Sequence, residues 1–153
     1  MTKTRTTLVG VLLLTAMFPS ACGSEDAAPS PTAIPEAALV GVFEGRFPCT
    51  DCERLKTALT LLQDPTSKVP TTYARREVYV GRGDTAYDTH GVWRIHRGAS
   101  TDPDAIVIEL DPDESESLVH YLKVDDNILL LLDEQLRPRV GNASHSFTLS
   151  RTR

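Results

Sequence analysis

The stretch GRFPCTDCERLKTALTL, residues 45–61, holds two cysteines three residues apart at the entrance to an alternating run. From Leu55 to Leu61 every second residue is leucine or threonine, and a period of two predicts a strand with one face toward a core. Helical spacing is also present, since leucines and an alanine between Leu55 and Leu62 would share one helix face. The threonines are β-branched and favour the strand.

The rest of the chain has the same texture of short apolar runs separated by turn residues such as Gly, Pro, Asn and Asp. No long amphipathic helix stands out. The predicted strands are residues 40–47, 55–62, 73–80, 85–96, 105–110, 118–124, 128–133 and 146–151. An all-β fold follows, a small antiparallel up-and-down barrel of about eight strands, because closure of the sheet removes its exposed edges.

Alternation within the later runs predicts which residues share a strand face. Three sets show it: Ile106, Ile108 and Leu110; Leu118, Leu122 and Val124; Phe147 and Leu149. We expect each set to lie on one face of its strand, as in a sheet with one face buried.

The N-terminus predicts export. Lys3 and Arg5 precede a short apolar run, residues 8–18, as in the first two regions of a signal peptide. The run is too short for the roughly 20 apolar residues of a membrane span. The small residues before Cys22 resemble the lipobox of bacterial lipoproteins. That resemblance implies cleavage before Cys22, acylation of this cysteine, and, because Gly23 follows it, sorting to the outer membrane.

The predicted boundaries follow from these features. Residues 1–21 form the lipoprotein signal peptide. Residues 22–38 comprise the acylated cysteine and a Pro-, Ala- and Ser-rich stretch without apolar periodicity, which is typical of a flexible tether. Residues 39–153 form one barrel domain, a length suited to a single hydrophobic core.

Charge and composition exclude some classes of function. The chain has 21 acidic and 16 basic residues and a net charge of −5 at pH 7. Nucleic-acid binders are usually basic, so we expect no nucleic-acid partner. No Ser-His-Asp order, paired-carboxylate motif or phosphate-binding loop stands out, and we expect a protein that is not an enzyme.

A longer stretch around the cysteines, GVFEGRFPCTDCERLKTALTLLQD at residues 41–64, resembles the signature of the N-terminal domain of the NlpE copper-resistance lipoprotein family. Later segments, among them HGVWRI at residues 90–95, fall where that family has its remaining strands. The resemblance implies a lipocalin-like eight-stranded barrel on the periplasmic face of the outer membrane. It also implies a role in envelope stress or copper response through contact with an envelope signalling protein.

Cys49 and Cys52 allow three interpretations. With Cys22 acylated, an exported chain has these two thiols left to pair, which favours a structural or redox-sensing disulfide. Two thiolates at this spacing could instead bind Cu(I) or supply half of a zinc site. A catalytic dithiol is least favoured, because the carboxylates of Asp51 and Glu53 oppose thiolate formation and a strand, not a helix, follows.

Two alternative functions stay open. One is a copper-binding module that uses Cys49 and Cys52, with copper as the cofactor. Its other borderline ligands are four histidines scattered over separate segments: His90, His96, His120 and His145. The second is a lipocalin-like carrier of a small apolar ligand, in which Trp93 could line the cavity. An aromatic residue within a strand is more often part of the core.

Overall fold

A computed structural model describes residues 36–153 of the protein. The predicted signal peptide, Cys22 and all but the end of the predicted tether lie outside these residues. The described part contains no helix, and so none that is long and apolar enough to span a membrane. Its strands are β1 (Ala38–Phe47), β2 (Arg54–Gln63), β3 (Pro70–Val80), β4 (Thr85–Arg97), β5 (Ile106–Leu110), β6 (Val119–Lys123), β7 (Ile128–Leu131) and β8 (Thr148–Arg151).

The eight strands form a closed barrel in chain order. Each strand pairs antiparallel with its neighbours, and β8 returns to pair with β1. The β1–β8 seam is short and joins Phe43 to Arg151, Glu44 to Ser150, and Gly45 to Leu149. The predicted all-β up-and-down barrel is confirmed, and every predicted strand is present with its ends within about three residues of the prediction.

The alternating run that follows the cysteines forms β2. Leu59 and Leu61 are fully buried and Thr57 is nearly so, whereas Lys56 is exposed. β2 pairs with β1 on one side and with β3 on the other, which gives its backbone groups hydrogen-bond partners along most of its length. The strand prediction for residues 55–62 is therefore confirmed, and the helical alternative is wrong.

The barrel interior is one hydrophobic core to which every strand contributes. Its buried members are Phe43, Phe47, Leu59, Leu61, Tyr73, Trp93, Ile108, Leu110, Tyr121, Leu129 and Leu149. Removing apolar surface from water stabilises a fold by about 25 cal/mol per Å². Because no strand lacks a core residue, no strand can leave the sheet without exposing part of this core.

The predicted shared strand faces include both inner and outer ones, and the shared face predicted for β6 is the outer one. Ile108 and Leu149 lie in the core, as the alternation of their strands suggests. In β6 the core residue is Tyr121, which pairs with Ile108, so Leu122 points outward and Val124 just beyond the strand is 54% exposed. Both faces of this segment carry apolar residues, and only its register against β5 decides which face is inside.

The strands differ in length, and this opens one end of the barrel. β1 to β4 have 10 to 13 residues, whereas β5 to β8 have 4 or 5. β4 pairs with β3 along residues 85–92 but meets β5 only from Trp93 onward. The longer strands therefore extend past the shorter ones at the end where Arg54 pairs with Val80, which is also the end that carries the two cysteines.

Candidate functional site

The cysteine loop, residues 48–53, joins β1 to β2 at the open end of the barrel. Pro48 follows the last residue of β1 and lacks the N–H that a further ladder hydrogen bond would need. At the other end of the loop, the Glu53 N–H donates to the Val80 carbonyl oxygen at 3.0 Å. The loop is thus fixed to both β1 and β3.

Cys49 and Cys52 form a disulfide within this loop, with their Cα atoms 5.3 Å apart. Of the three interpretations of the cysteine pair, this is the one that the sequence favours. Asp51, between the cysteines, forms an ion pair with Arg82 in the turn between β3 and β4. Both side chains are more than half exposed, so this pair links the two loops but adds little stability.

Reduction of the disulfide, or the double substitution Cys49→Ser and Cys52→Ser, is expected to lower the free energy of unfolding by about 2 kcal/mol, because the bond closes a loop of only a few residues. The barrel should persist, since neither cysteine belongs to the core. Urea unfolding followed by circular dichroism, with and without reductant, measures the loss. Thr50→Ala is the control and should respond to reductant as the wild type does. Complete unfolding on reduction would contradict the prediction.

Three potential metal-ligand atoms lie together in the cysteine loop. One atom each from Cys49, Asp51 and Cys52 lies within 4.8 Å of the others, and an Asp51 carboxylate oxygen is 3.7 Å from the Cys49 sulfur. Sulfurs bonded to each other offer no thiolate, so binding of a soft metal here requires reduction first. Within the part of the chain that the structure describes, no histidine joins this cluster.

A cavity of about 840 Å³ opens beside the cysteine loop. It is lined in part by Arg75 and Glu77 of β3, and the Arg75 Nε is buried without a hydrogen-bond partner, 3.8 Å from a Glu77 carboxylate oxygen. Tyr121 also lines the cavity, and burial raises the pKa of its hydroxyl to about 12, which keeps the phenol neutral. These polar groups weaken the case for a carrier of a purely apolar ligand.

Trp93 does not line this cavity. Its ring is 6% exposed in the barrel core, and its Nε1–H donates to the Leu62 carbonyl oxygen at 2.7 Å. A tryptophan that is buried and hydrogen-bonded in this way has a structural role. Trp93 is therefore a core residue, as an aromatic residue within a strand usually is. The alternative, that it lines a ligand cavity, is wrong for this cavity.

β4 has a free edge at the same end of the barrel. Its residues 85–92 pair with β3 on one side and with no described strand on the other. The Val92 carbonyl points to the free side, since it accepts a hydrogen bond from the Asp111 N–H at 2.9 Å. Backbone groups alternate in direction along an antiparallel strand. Every second residue before Val92 therefore directs its backbone N–H and C=O to the free side. These residues are Ala86, Asp88 and His90, and no described group forms a hydrogen bond with their backbone.

The side chains along this β4 edge leave it accessible. Tyr87 is 57% exposed and packs edge-on against Tyr79 at a centroid distance of 5.5 Å. Asp88 points to the outer face, where it forms an ion pair with Arg76 at 2.7 Å. Residues 85–92 contain no lysine or proline, the residues that commonly protect an edge from pairing. The edge can thus accept a further strand.

The β4 edge was missed in the sequence, because closure of the barrel was expected to remove all edges. One signal was present: the predicted strand at residues 85–96 is twice as long as the next one at residues 105–110. A long strand beside a short one must leave part of its length unpaired. The four histidines lie on separate segments of the sequence, yet His96 and His120 both approach Glu109 on the outer face of the barrel.

Comparisons with known proteins identify a family and two similar solved structures. The family model described as NlpE N-terminal domain matches residues 43–142. A crystal structure of a protein named as a candidate lipoprotein from Shewanella oneidensis is 26% identical, with a TM-score of 0.52 over 73% of this chain and 87% of that chain. The Cpx pathway activator NlpE from Escherichia coli is 22% identical, with a TM-score of 0.47 over 69% of this chain and 48% of that chain, so the present chain spans about half its length. No curated protein sequence matches the chain.

Proposed function

The chain belongs to the NlpE N-terminal domain family, and from this membership we propose that it is a lipid-anchored envelope protein that acts in envelope stress or copper response by contacting an envelope signalling protein. The role is non-catalytic. The lipobox-like residues before Cys22 support the anchor, and Gly23 supports the periplasmic face of the outer membrane as its location. Incorporation of labelled palmitate by the wild type, and its loss in Cys22→Ser, would test the anchor.

The observation that carries the protein-contact role is the β4 edge. Ala86, Asp88 and His90 offer three donors and three acceptors in a row to an incoming strand. Main-chain pairing of this kind provides affinity, and side chains on alternate positions provide specificity. The occupant that we propose is an extended segment of the signalling protein. Asp88 already forms an ion pair with Arg76, so it is not free to select the partner. We expect the partner segment to be selected instead by an apolar or aromatic side chain that packs against the exposed Tyr87.

A photoreactive phenylalanine analogue at Tyr87 is expected to crosslink this partner in intact cells, and His90→Pro should reduce the yield about tenfold. Proline removes one main-chain donor and obstructs the strand that would pair there. One lost hydrogen bond and the accompanying clash correspond to roughly 1.4 kcal/mol, a factor of ten in the binding constant.

His90→Ala is the matched control, because it removes the same exposed side chain but keeps the main-chain donor. It should crosslink as the wild type does. Equal yields from His90→Pro and the wild type would contradict strand addition at this edge. A product that contains only two copies of this chain would contradict the proposed partner.

A second candidate function is copper binding, and the clustering of Cys49, Asp51 and Cys52 favours it. Soft thiolates prefer Cu(I), and they form only when the disulfide is reduced. The reduced protein should then retain one Cu(I) against a competing chelator, and the double substitution Cys49→Ser and Cys52→Ser should lose it. Retention of copper by the double variant would rule out this site.

A further inference from the structure

The outer face of the barrel carries an unusually buried carboxylate. Glu109 of β5 is only 7% exposed, although strand alternation places it opposite the core. Carboxylates are seldom buried unless they are paired or bound to a cation. The groups that surround Glu109 therefore indicate what it holds.

Three side chains from the two neighbouring strands converge on this carboxylate. The Arg94 Nε lies 2.7 Å from Oε2 of Glu109. The other oxygen, Oε1, lies 3.6 Å from the His96 Nδ1 and 3.4 Å from the His120 Nε2. One carboxylate oxygen thus has a fixed cationic partner, while the other lies between two imidazole rings.

Strand register determines this arrangement. Glu109 pairs directly with Arg94 of β4 and with His120 of β6. His96 lies two residues beyond Arg94 and so shares its outward face. Hydrogen-bonded strands fix the three backbone positions, and only the side chains need to adjust to a ligand.

We propose that His96, Glu109 and His120 form a binding site for a borderline divalent transition metal, with Zn²⁺ as the representative ion. Two imidazoles and a carboxylate are a common ligand set for Zn²⁺, with a water molecule in the fourth position. Ligands about 2.05 Å from a tetrahedral ion lie roughly 3.3 Å from one another. The two nitrogen-to-oxygen separations, 3.4 and 3.6 Å, are close to that value.

The ligand atoms of His96, Glu109 and His120 are not all within 4.8 Å of one another, so the two imidazoles must approach each other before both can bind one ion. His96 permits this, because its side chain is 43% exposed and free to turn about its side-chain bonds. His120 is largely buried and fixes one corner of the site. Arg94 acts as a positioning residue: by binding Oε2 it directs Oε1 toward the imidazoles.

The test uses the full-length protein, untagged and with its disulfide intact, so that Cys49 and Cys52 offer no thiolate. Calorimetric titration with Zn²⁺ at neutral pH should show one site per chain. His96→Asn and His120→Asn should each weaken binding at least tenfold. His90→Asn and His145→Asn should leave it unchanged, because neither histidine contacts Glu109. Circular dichroism of each variant verifies that the barrel is folded.

Three outcomes would overturn the proposed site. The first is the absence of saturable Zn²⁺ binding by the wild type at concentrations up to about 1 mM, because binding weaker than this does not require a specific site. The second is equal weakening by all four histidine substitutions, which would indicate non-specific surface binding. Glu109→Gln supplies a further readout: if it stays folded and binds as the wild type does, the carboxylate is not a ligand.

Discussion

Gly45→Ala is expected to lower the free energy of unfolding by about 3 kcal/mol, because it forces apart the seam that closes the barrel. A Cβ atom at this position would lie 2.2 Å from the backbone oxygen of Thr148 and 2.8 Å from the Leu149 Cδ2. The obstructing atom is backbone, so no side-chain rotation can relieve the contact. Gly45 is also one of only three β1 residues that pair with β8.

Urea unfolding followed by circular dichroism measures this loss, and hydrogen exchange should show faster exchange in β8 than in the rest of the barrel. Glu44→Ala is the matched control. Glu44 lies at the same seam, but its side chain is exposed, so the change should cost less than about 0.5 kcal/mol. A Gly45→Ala variant as stable as this control would show that the seam does not need a glycine.

Trp93→Ala is expected to lower the free energy of unfolding by about 3 to 5 kcal/mol, the typical range for truncating a buried tryptophan. The substitution leaves a large void in the core and deprives the Leu62 carbonyl oxygen of its hydrogen-bond donor. Trp93 is also where β4 begins to pair with β5, so the void lies where the long and short strands meet.

Far-UV circular dichroism is the appropriate probe, because Trp93 is the only tryptophan and its fluorescence is lost with it. Trp93→Phe should lower the free energy of unfolding by less than Trp93→Ala does, because phenylalanine keeps most of the apolar volume of tryptophan. Val92→Ala, next to it but half exposed on the outer face, should change the free energy of unfolding by less than about 0.5 kcal/mol. A cost for Trp93→Ala as small as that of Val92→Ala would contradict the core role.

Local patterns were sufficient to predict most of the fold. The alternation from Leu55 to Leu61 predicted β2 and its buried face, because side-chain direction in a strand has a period of two that is written directly in the sequence. The turn residues between runs predicted the strand ends to within a few residues. The family resemblance at residues 41–64 predicted the barrel and its relatives.

The candidate site was predicted less well, because it depends on pairing between distant residues. Spacing and the predicted compartment favoured the Cys49–Cys52 disulfide, and the structure contains it. The approach of His96 and His120 to Glu109 could not be foreseen, since it depends on the register of β5 against both neighbours. The inward position of Tyr121 likewise depends on the register of β6 against β5.

The sequence by itself determined the strands, the turns and the class of fold, because these depend on interactions within a few residues along the chain. The tertiary structure alone decided why Gly45 must lack a side chain, which part of β4 stays unpaired and which histidines meet. Each of these depends on strand register and on where the barrel closes. Register is set by the packing of all eight strands around one core, and no single segment specifies it.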